Sequence, residues 1–281
     1  MENKQISLIW LRRDLRLYDH AALAQALAND GQVQPIFVLD TDILSRFANP
    51  KDRRLGFIAA TLCQLHTELK KRGGGLLVLH GSATQIIPKA VAALGASQLF
   101  ANEDYEPSAR ARDAAVAKQV KLHLSKDHVI FSPMEILKDD GTPYKVFTPY
   151  SKAWLSKLTP LSYATCEVND KGRYADFTKA KQAATAAGLK VIDAEDAGVM
   201  LKQIGYEYTE DTLWPADDAQ KRLKQFTAKK IKAYAIARDM VAEDGTSQLS
   251  PYLRFGLVSV RECMREAYSS LRGEAEAIHI K

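Results

Sequence analysis

The side chains best placed for chemistry in this 281-residue chain are hydroxyls, carboxylates and guanidinium groups. The run Gly245-Thr246-Ser247-Gln248-Leu249-Ser250 precedes a helical segment and offers hydroxyls together with backbone N–H groups. Converging N–H groups stabilise an anion, and a diphosphate suits such a cradle. The same run also reads as a Ser/Thr turn that simply caps a helix. Upstream, Tyr234 and Arg238 lie four residues apart, which puts them on one face of a helix. Read alone, Arg238 is equally an ion-pair partner or a surface arginine lying along its stem. Charged residues also gather where apolar runs stop, in Leu11-Arg12-Arg13-Asp14, Leu39-Asp40 and Asn102-Glu103-Asp104.

Other chemistries find no residues to carry them. The six histidines (His20, His66, His80, His123, His128 and His279) show no metal-ligand spacing, so no metal is expected. Cys63, Cys166 and Cys263 lie about 100 residues apart, which excludes a disulfide framework and a Cys-x-x-Cys site. No Gly-x-Ser-x-Gly elbow, Walker loop or Gly-x-Gly-x-x-Gly fingerprint occurs. A conventional hydrolase, ATP or dinucleotide site is therefore disfavoured.

The elements that must position these residues follow from periodicity. Apolar runs at 7–11, 33–39, 76–79, 98–101 and 129–131 read as buried strands. Between them, helical patterns cover 21–28, 53–72, 84–94 and 108–122. Asp19 suits the N-cap of the first helix, and Pro88 must be accommodated near the first turn of the third. Strands alternating with helices of this length pair in parallel, because each crossover returns the chain to its starting edge. The expected fold class is α/β, a five-stranded doubly wound parallel sheet. Ligands of such sheets sit beyond the carboxyl ends of the strands, where the charged clusters lie.

The pattern weakens after residue 131. Short helices are expected at 148–158, 180–188 and 193–205, within a long connector spanning 132–214. From 215 a periodic run continues to about 240, a loop follows at 243–247, and 259–271 reads as a further helix. The expected units are thus 1–131, 132–214 and 215–281, the last an incomplete helical region. Hydrophobic residues make up 46% and charged residues 26%, which excludes global disorder. Net charge is +5, and residues 220–281 hold twelve basic against seven acidic side chains while the rest of the chain balances. A basic end fits an anionic partner such as nucleic acid, or else a solvated helix face. No apolar run of 18 residues occurs and no signal core follows Met1, so a cytoplasmic location without membrane association is expected.

Four blocks carry a family resemblance. Leu8-Ile9-Trp10-Leu11-Arg12-Arg13-Asp14-Leu15-Arg16-Leu17 resembles the opening of DNA photolyases and cryptochromes. So do Tyr105-Glu106-Pro107 with Arg110, Arg112 and Asp113, and Tyr144-Lys145-Val146-Phe147-Thr148-Pro149-Tyr150 with Trp154. The block from Gly245 to Gly256 is the most specific, and the four occur in family order across the chain. The resemblance implies a Rossmann-like antenna-chromophore domain, a connector, and the beginning of an all-α FAD-binding domain. It further implies about 200 more helical residues in family members, so the chain resembles an amino-terminal portion with no catalytic residue of its own.

By resemblance, Thr246, Ser247, Gln248, Leu249 and Ser250 hold the FAD phosphates and Tyr234 is the matching aromatic contact. Arg238 would touch a DNA phosphate near the lesion. Phe37, Asp40, Arg54, Asp104 and Arg254 match positions lining the antenna site in members that use 8-hydroxy-5-deazaflavin or FMN. Members that bind a folate have Asn-Glu just after Tyr-Glu-x, where this chain has Ser108-Ala109. A folate antenna is therefore disfavoured. The implied reaction is light-driven splitting of cyclobutane pyrimidine dimers in DNA by an electron from reduced FAD. The implied partner is dimer-containing DNA, with the protein a monomer. Two alternatives stay open: a cryptochrome-type blue-light photoreceptor, and a nucleotide-binding or electron-transfer flavoprotein domain without light chemistry.

Overall fold

The computed structural model describes residues 5–29, 31–210 and 213–271. His279 and the end of the expected helical unit lie outside the described residues. The strands are β1 (Ile6–Leu11), β2 (Gln32–Asp40), β3 (Leu77–Gly81), β4 (Ala96–Asn102), β5 (Leu122–Ser125) and β6 (Val191–Ile192). They form one sheet in the order β5-β4-β1-β2-β3-β6. The first five strands run parallel and β6 pairs antiparallel with β3. The helices that follow in chain order are α1 (Ala21–Leu27), α2 (Thr41–Leu44), α3 (Arg53–Lys71), α4 (Ala83–Ala93), α5 (Pro107–Ala117), α6 (Phe147–Lys157), α7 (Phe177–Ala186) and α8 (Ala197–Gln203). The last are α9 (Ala219–Lys229), α10 (Tyr234–Ala237), α11 (Ser250–Arg254) and α12 (Val260–Ser270).

The period of two along β1 sorts its side chains between two cores. Ile9 and Leu11 face a core built with α1, α3 and α8, to which Leu223 of α9 and Tyr252 of α11 also belong. Leu8 and Trp10 face the other, built with α4, α5 and α7. Helices therefore cover both faces, as a doubly wound sheet requires. The strand order reverses at β1, between β2 on one side and β4 on the other. The loops leaving β1 and β4 thus flank the crevice where such sheets take ligands.

Several local expectations need correction. The fifth strand is Leu122–Ser125, and residues 129–131 form none. Its register pairs Leu99 with Leu122 and Phe100 with His123, whose rings stack 4.8 Å apart. An edge strand is only half covered and needs no continuous apolar run, so Leu122-His123-Leu124 merged with the preceding helix. Val129-Ile130-Phe131 attracted the strand assignment because it is apolar, yet Phe131 instead packs edge-on against Trp154 of α6. The sheet also has a sixth strand of two residues, too short for any periodic signal. Residues 174–194 return to the sheet with α7 and β6, and Tyr174, Ala184 and Ile192 are buried in its cores.

Asp19 is not an N-cap. Its φ of 44° lies in the left-handed region, whereas His20 has the extended backbone of a cap and its Nδ1 accepts the Leu23 N–H at 3.1 Å. Pro88 sits in the interior of α4 rather than its first turn. Its missing N–H leaves the Thr84 carbonyl without a helical donor, and the Gln119 side chain donates to that oxygen at 3.3 Å. The run from 215 to 240 is not one helix. It breaks after Lys229 into a 3-10 turn, Ile231–Ala233, and then α10.

Candidate functional site at the carboxyl ends of the strands

Buried charges hold the loops that flank the crevice. The chain turns immediately after β1, and Asp14 accepts the Arg12 N–H at 2.6 Å. Asn102, the last residue of β4, donates to the other oxygen of Asp14 at 2.7 Å. His20 Nε2 lies 3.2 Å from that same oxygen. Burial alone would raise the Asp14 pKa, but the hydrogen bond and charge of His20 hold it well below the usual carboxylate range. Arg12 donates to both oxygens of Asp113 at 2.6 Å and to the Asn102 carbonyl. The loops leaving β1 and β4 and the helix α5 are thereby tied into one rigid rim.

A second buried lattice joins the α/β unit to α12. Arg16 pairs with Asp127 at 2.6 Å and donates to the Gly256 carbonyl at 3.1 Å. Arg261 bridges Asp19 and Asp127, each at 2.8 Å, and Arg265 reaches Asp19 at 2.8 Å. Burial raises the pKa of Asp127, but the nearby Arg16 and Arg261 charges more than offset it. The left-handed turn at Asp19 thus aims its carboxylate at two arginines of α12. At Gly256 a Cβ would meet the Arg13 carbonyl at 2.2 Å, so only glycine permits this approach of the two units.

The residues expected to line an antenna site divide into two groups. Asp40 ends β2 and is 7% exposed, and its Oδ1 accepts from the Asp42 N–H at 3.1 Å and the Ala83 N–H at 3.3 Å. It is thus engaged in positioning α2 and α4. Phe37 lies three residues earlier on β2 and so on the opposite face of the sheet, half-buried against the core. Arg54 opens α3, pairs with Asp52 at 2.6 Å and lies over the Phe47 ring at 4.6 Å. Asp104 and Arg254 fall in the other group, drawn together by Arg13 and Glu106. Arg13 Nη1 donates to Glu106 at 2.9 Å and approaches Asp104 at 3.4 Å. Arg254 Nη1 donates to the same Glu106 oxygen at 2.8 Å. Phe57 connects the groups: it lies one turn beyond Arg54 on α3, and its ring is 5.5 Å from Phe255, the neighbour of Arg254. The motif that contains Arg13 and Glu106 was visible in the sequence, but nothing in its spacing tells which of its charges remain accessible.

The loop from Gly245 to Ser250 is open to solvent at Thr246, Gln248 and Ser250, while Leu249 is buried as its anchor. At Gly245 a Cβ would lie 2.5 Å from the Ala237 carbonyl, so the loop packs tightly against the end of α10. Gln248 has φ 51° and is held by Arg222 at 2.8 Å and Asp244 at 2.9 Å. The Ser247 hydroxyl accepts the Leu249 N–H at 3.4 Å. Tyr234 packs edge-on against Phe226, with the Arg238 guanidinium 5.8 Å from its ring centre. The exposed hydroxyls of Thr246 and Ser250, with the Arg222 guanidinium held against Gln248, give this glycine-fixed loop a donor set that fits a diphosphate. Ser250 begins α11 and Arg254 ends it, so one short helix joins this loop to the crevice.

The family model for DNA photolyase matches residues 7–168. The chain belongs to the DNA photolyase family. A deoxyribodipyrimidine photo-lyase of Synechococcus sp. is 33% identical over an alignment of 270 positions that covers 92% of this chain and 53% of that protein. The chain spans about half the length of the curated photo-lyases it matches. A class III photolyase from Agrobacterium tumefaciens superposes with a TM-score of 0.74 at 22% identity, covering 99% of this chain and 56% of that one. A cryptochrome from Synechocystis superposes with a TM-score of 0.73 at 18% identity, covering 99% and 59%. At these identities the two structures show the shared photolyase–cryptochrome fold. Among the described residues, no helix is long and apolar enough to cross a membrane, and no group of three metal-ligating side chains occurs. Cys63, Cys166 and Cys263 are free thiols.

Proposed function

We propose that this chain supplies the antenna domain and the phosphate-binding edge of a flavoprotein that repairs cyclobutane pyrimidine dimers in DNA with light. The observation that carries the reading is α11, because Ser250 at one end belongs to the phosphate loop and Arg254 at the other belongs to the strand-end crevice. Light harvesting needs two chromophores at a fixed separation, and a rigid helix between their sites provides one.

When bound, FAD would supply the one-electron chemistry of dimer splitting, with no net redox change. The residues of this chain hold and orient. Thr246, Ser247 and Ser250 offer hydroxyls and Gln248 its backbone N–H group to the diphosphate, with Leu249 as the buried anchor of the loop and Tyr234 as the aromatic contact. Arg238 is 46% exposed at the side chain and paired only loosely with Asp239 at 3.8 Å, which leaves it able to meet a DNA phosphate. Phe37, Arg54, Asp104 and Arg254 would line a planar antenna, 8-hydroxy-5-deazaflavin or FMN rather than a folate, with Asp40 shaping its wall. The buried lattice of Arg16, Asp19, Asp127 and Arg261 fixes the two sites relative to each other. DNA affinity would rest on phosphate contacts and fall with salt.

The TM-score of 0.73 with a cryptochrome favours keeping a blue-light photoreceptor of the same fold as the second reading. The 281 residues alone are expected not to reverse dimers, since the matched photo-lyases are about twice as long. The test irradiates the purified chain, supplied with reduced FAD, in the presence of a dimer-containing oligonucleotide. No repair, together with salt-sensitive binding of the oligonucleotide and loading of a flavin-type chromophore, is the expected result. Repair by the chain alone overturns its expected incompetence, and failure to take up any flavin or deazaflavin overturns the flavoprotein reading.

A further inference from the structure

Within the strand-end crevice, one carboxylate does something that neither the fold nor the core requires. A single oxygen of Glu106 accepts from both Arg13 at 2.9 Å and Arg254 at 2.8 Å. Arg13 also donates through Nε to the Arg254 backbone carbonyl at 3.3 Å, which fixes the two arginines side by side. Two guanidinium groups this close repel unless an anion lies between them. Asp104 contributes from below, at 3.4 Å from Arg13, but it also accepts the Glu106 N–H at 3.2 Å and is anchored by it. Glu106 itself is exposed, and as N-cap of α5 its side chain makes no capping bond. Its carboxylate is thus an exposed group placed on a fixed cationic pair, with no structural duty at its own helix.

We propose that Glu106 is an internal stand-in for the anionic group of the crevice's ligand, occupying the Arg13–Arg254 clamp until a phosphate or phenolate of that ligand displaces it. The inference rests on the antenna reading above and adds a specificity determinant to it: the clamp selects planar ligands that carry an anion over neutral ones. An exposed carboxylate can swing into water at little cost, because a solvent-exposed ion pair contributes little to stability. Nothing comparable is open to Asp113 or Asp127, whose arginine partners are buried with them. The same positive charge could in principle serve a DNA phosphate, so the test separates the two sources.

The experiment titrates FMN, riboflavin, inorganic phosphate and a DNA duplex into the wild-type chain and Glu106→Gln. Riboflavin has the ring system of FMN without its phosphate. Glu106→Gln is expected to tighten FMN by roughly fivefold, the scale of one exposed ion pair, and to leave riboflavin within about twofold. Arg254→Met in the Glu106→Gln background is expected to abolish the preference for FMN over riboflavin. Phosphate binding gained in Glu106→Gln with no flavin binding to either protein supports the clamp and overturns the antenna reading. FMN and phosphate affinities both unchanged or weakened in Glu106→Gln overturn the clamp. A gain seen with the duplex and not with FMN overturns the assignment of the clamp to a crevice ligand. Because the Glu106 side chain caps nothing, thermal unfolding of the variant is expected to match wild type, and each titration then reads binding alone.

Discussion

Two sets of arginine–carboxylate contacts lie on the same few loops, and burial gives them opposite characters. Arg16, Asp19, Asp127 and Arg261 are 4%, 2%, 1% and 6% exposed, and each has several partners. Arg13, Glu106 and Arg254 keep 28%, 50% and 53% of their side chains in water. Charges of the first kind cannot let go singly, because a buried ion that loses its partner has no water to turn to. Charges of the second kind exchange partners freely. The first set therefore builds the molecule, by fastening α12 to the strand-end loops, and the second is available for binding. A guanidinium–carboxylate pair beside a candidate site is informative only once its exposure is known.

The comparison breaks most readily at Asp127. Asp127→Ala removes the buried carboxylate partner of Arg16 and one of the two that hold Arg261, and is expected to cost about 3–5 kcal/mol of stability by urea unfolding. A loss below 1 kcal/mol would put Asp127 in the same class as Glu106. Acid should act in the same direction. The carboxylates of Asp14, Asp19 and Asp127 all titrate below the ordinary range in the folded chain, against the opposition of burial and because of their His20 and arginine partners. Depressed folded values mean that this stability is present above the unfolded-state pKa of about 3.9 and is lost as pH falls through the folded values. Unfolding followed by circular dichroism is thus expected to set in below about pH 4, with Asp127→Asn showing a shallower acid dependence.

The smallest effects belong to the exposed set. Arg54 has 63% of its side chain in water and its Asp52 partner only two residues away. Arg54→Ala is expected to change stability by no more than about 0.5 kcal/mol, the usual range for a surface substitution. Its effect on an antenna ligand should be smaller than that of Asp104→Ala, since Asp104 is 9% exposed and braces the Arg13–Glu106 pair. Fluorescence titration of both variants orders them. An Arg54→Ala loss larger than that of Asp104→Ala would move the ligand toward Phe47.

Much of the fold was legible for a simple reason. Strands β1 to β4 are parallel and covered on both faces, so they read as continuous apolar runs, and α3 and α4 carry unbroken helical periods. The edges of the sheet were not legible: β5 is half-covered and β6 has two residues. Within the candidate site, the sequence pointed to Asp104 and Arg254 and placed Arg13 and Glu106 in its motifs, but it did not point to the pairing of Arg13 with Glu106 or to Phe57, whose relevance comes from contacts across the fold. The docking lattice was hidden most completely. Arg16 meets Asp127 at a separation of 111 residues, and Arg261 meets Asp19 at 242. No local period marks such pairs, and Asp19 offered itself as a helix cap because its left-handed backbone cannot be read from residue type.

On the function proposed above, the strand-end crevice of this chain takes a flavin-type chromophore through Asp104 and Arg254. Titrating the purified protein with 8-hydroxy-5-deazaflavin, FMN and methenyl-folate, and following ligand fluorescence, tests it most directly. The account predicts binding of at least one of the two flavin-type ligands, weakened by about 1.5–3 kcal/mol in Asp104→Ala, the scale of a lost hydrogen bond to a charged group. Tight folate binding with no response to either flavin-type ligand, or flavin binding indifferent to Asp104→Ala and Arg254→Met alike, would contradict it.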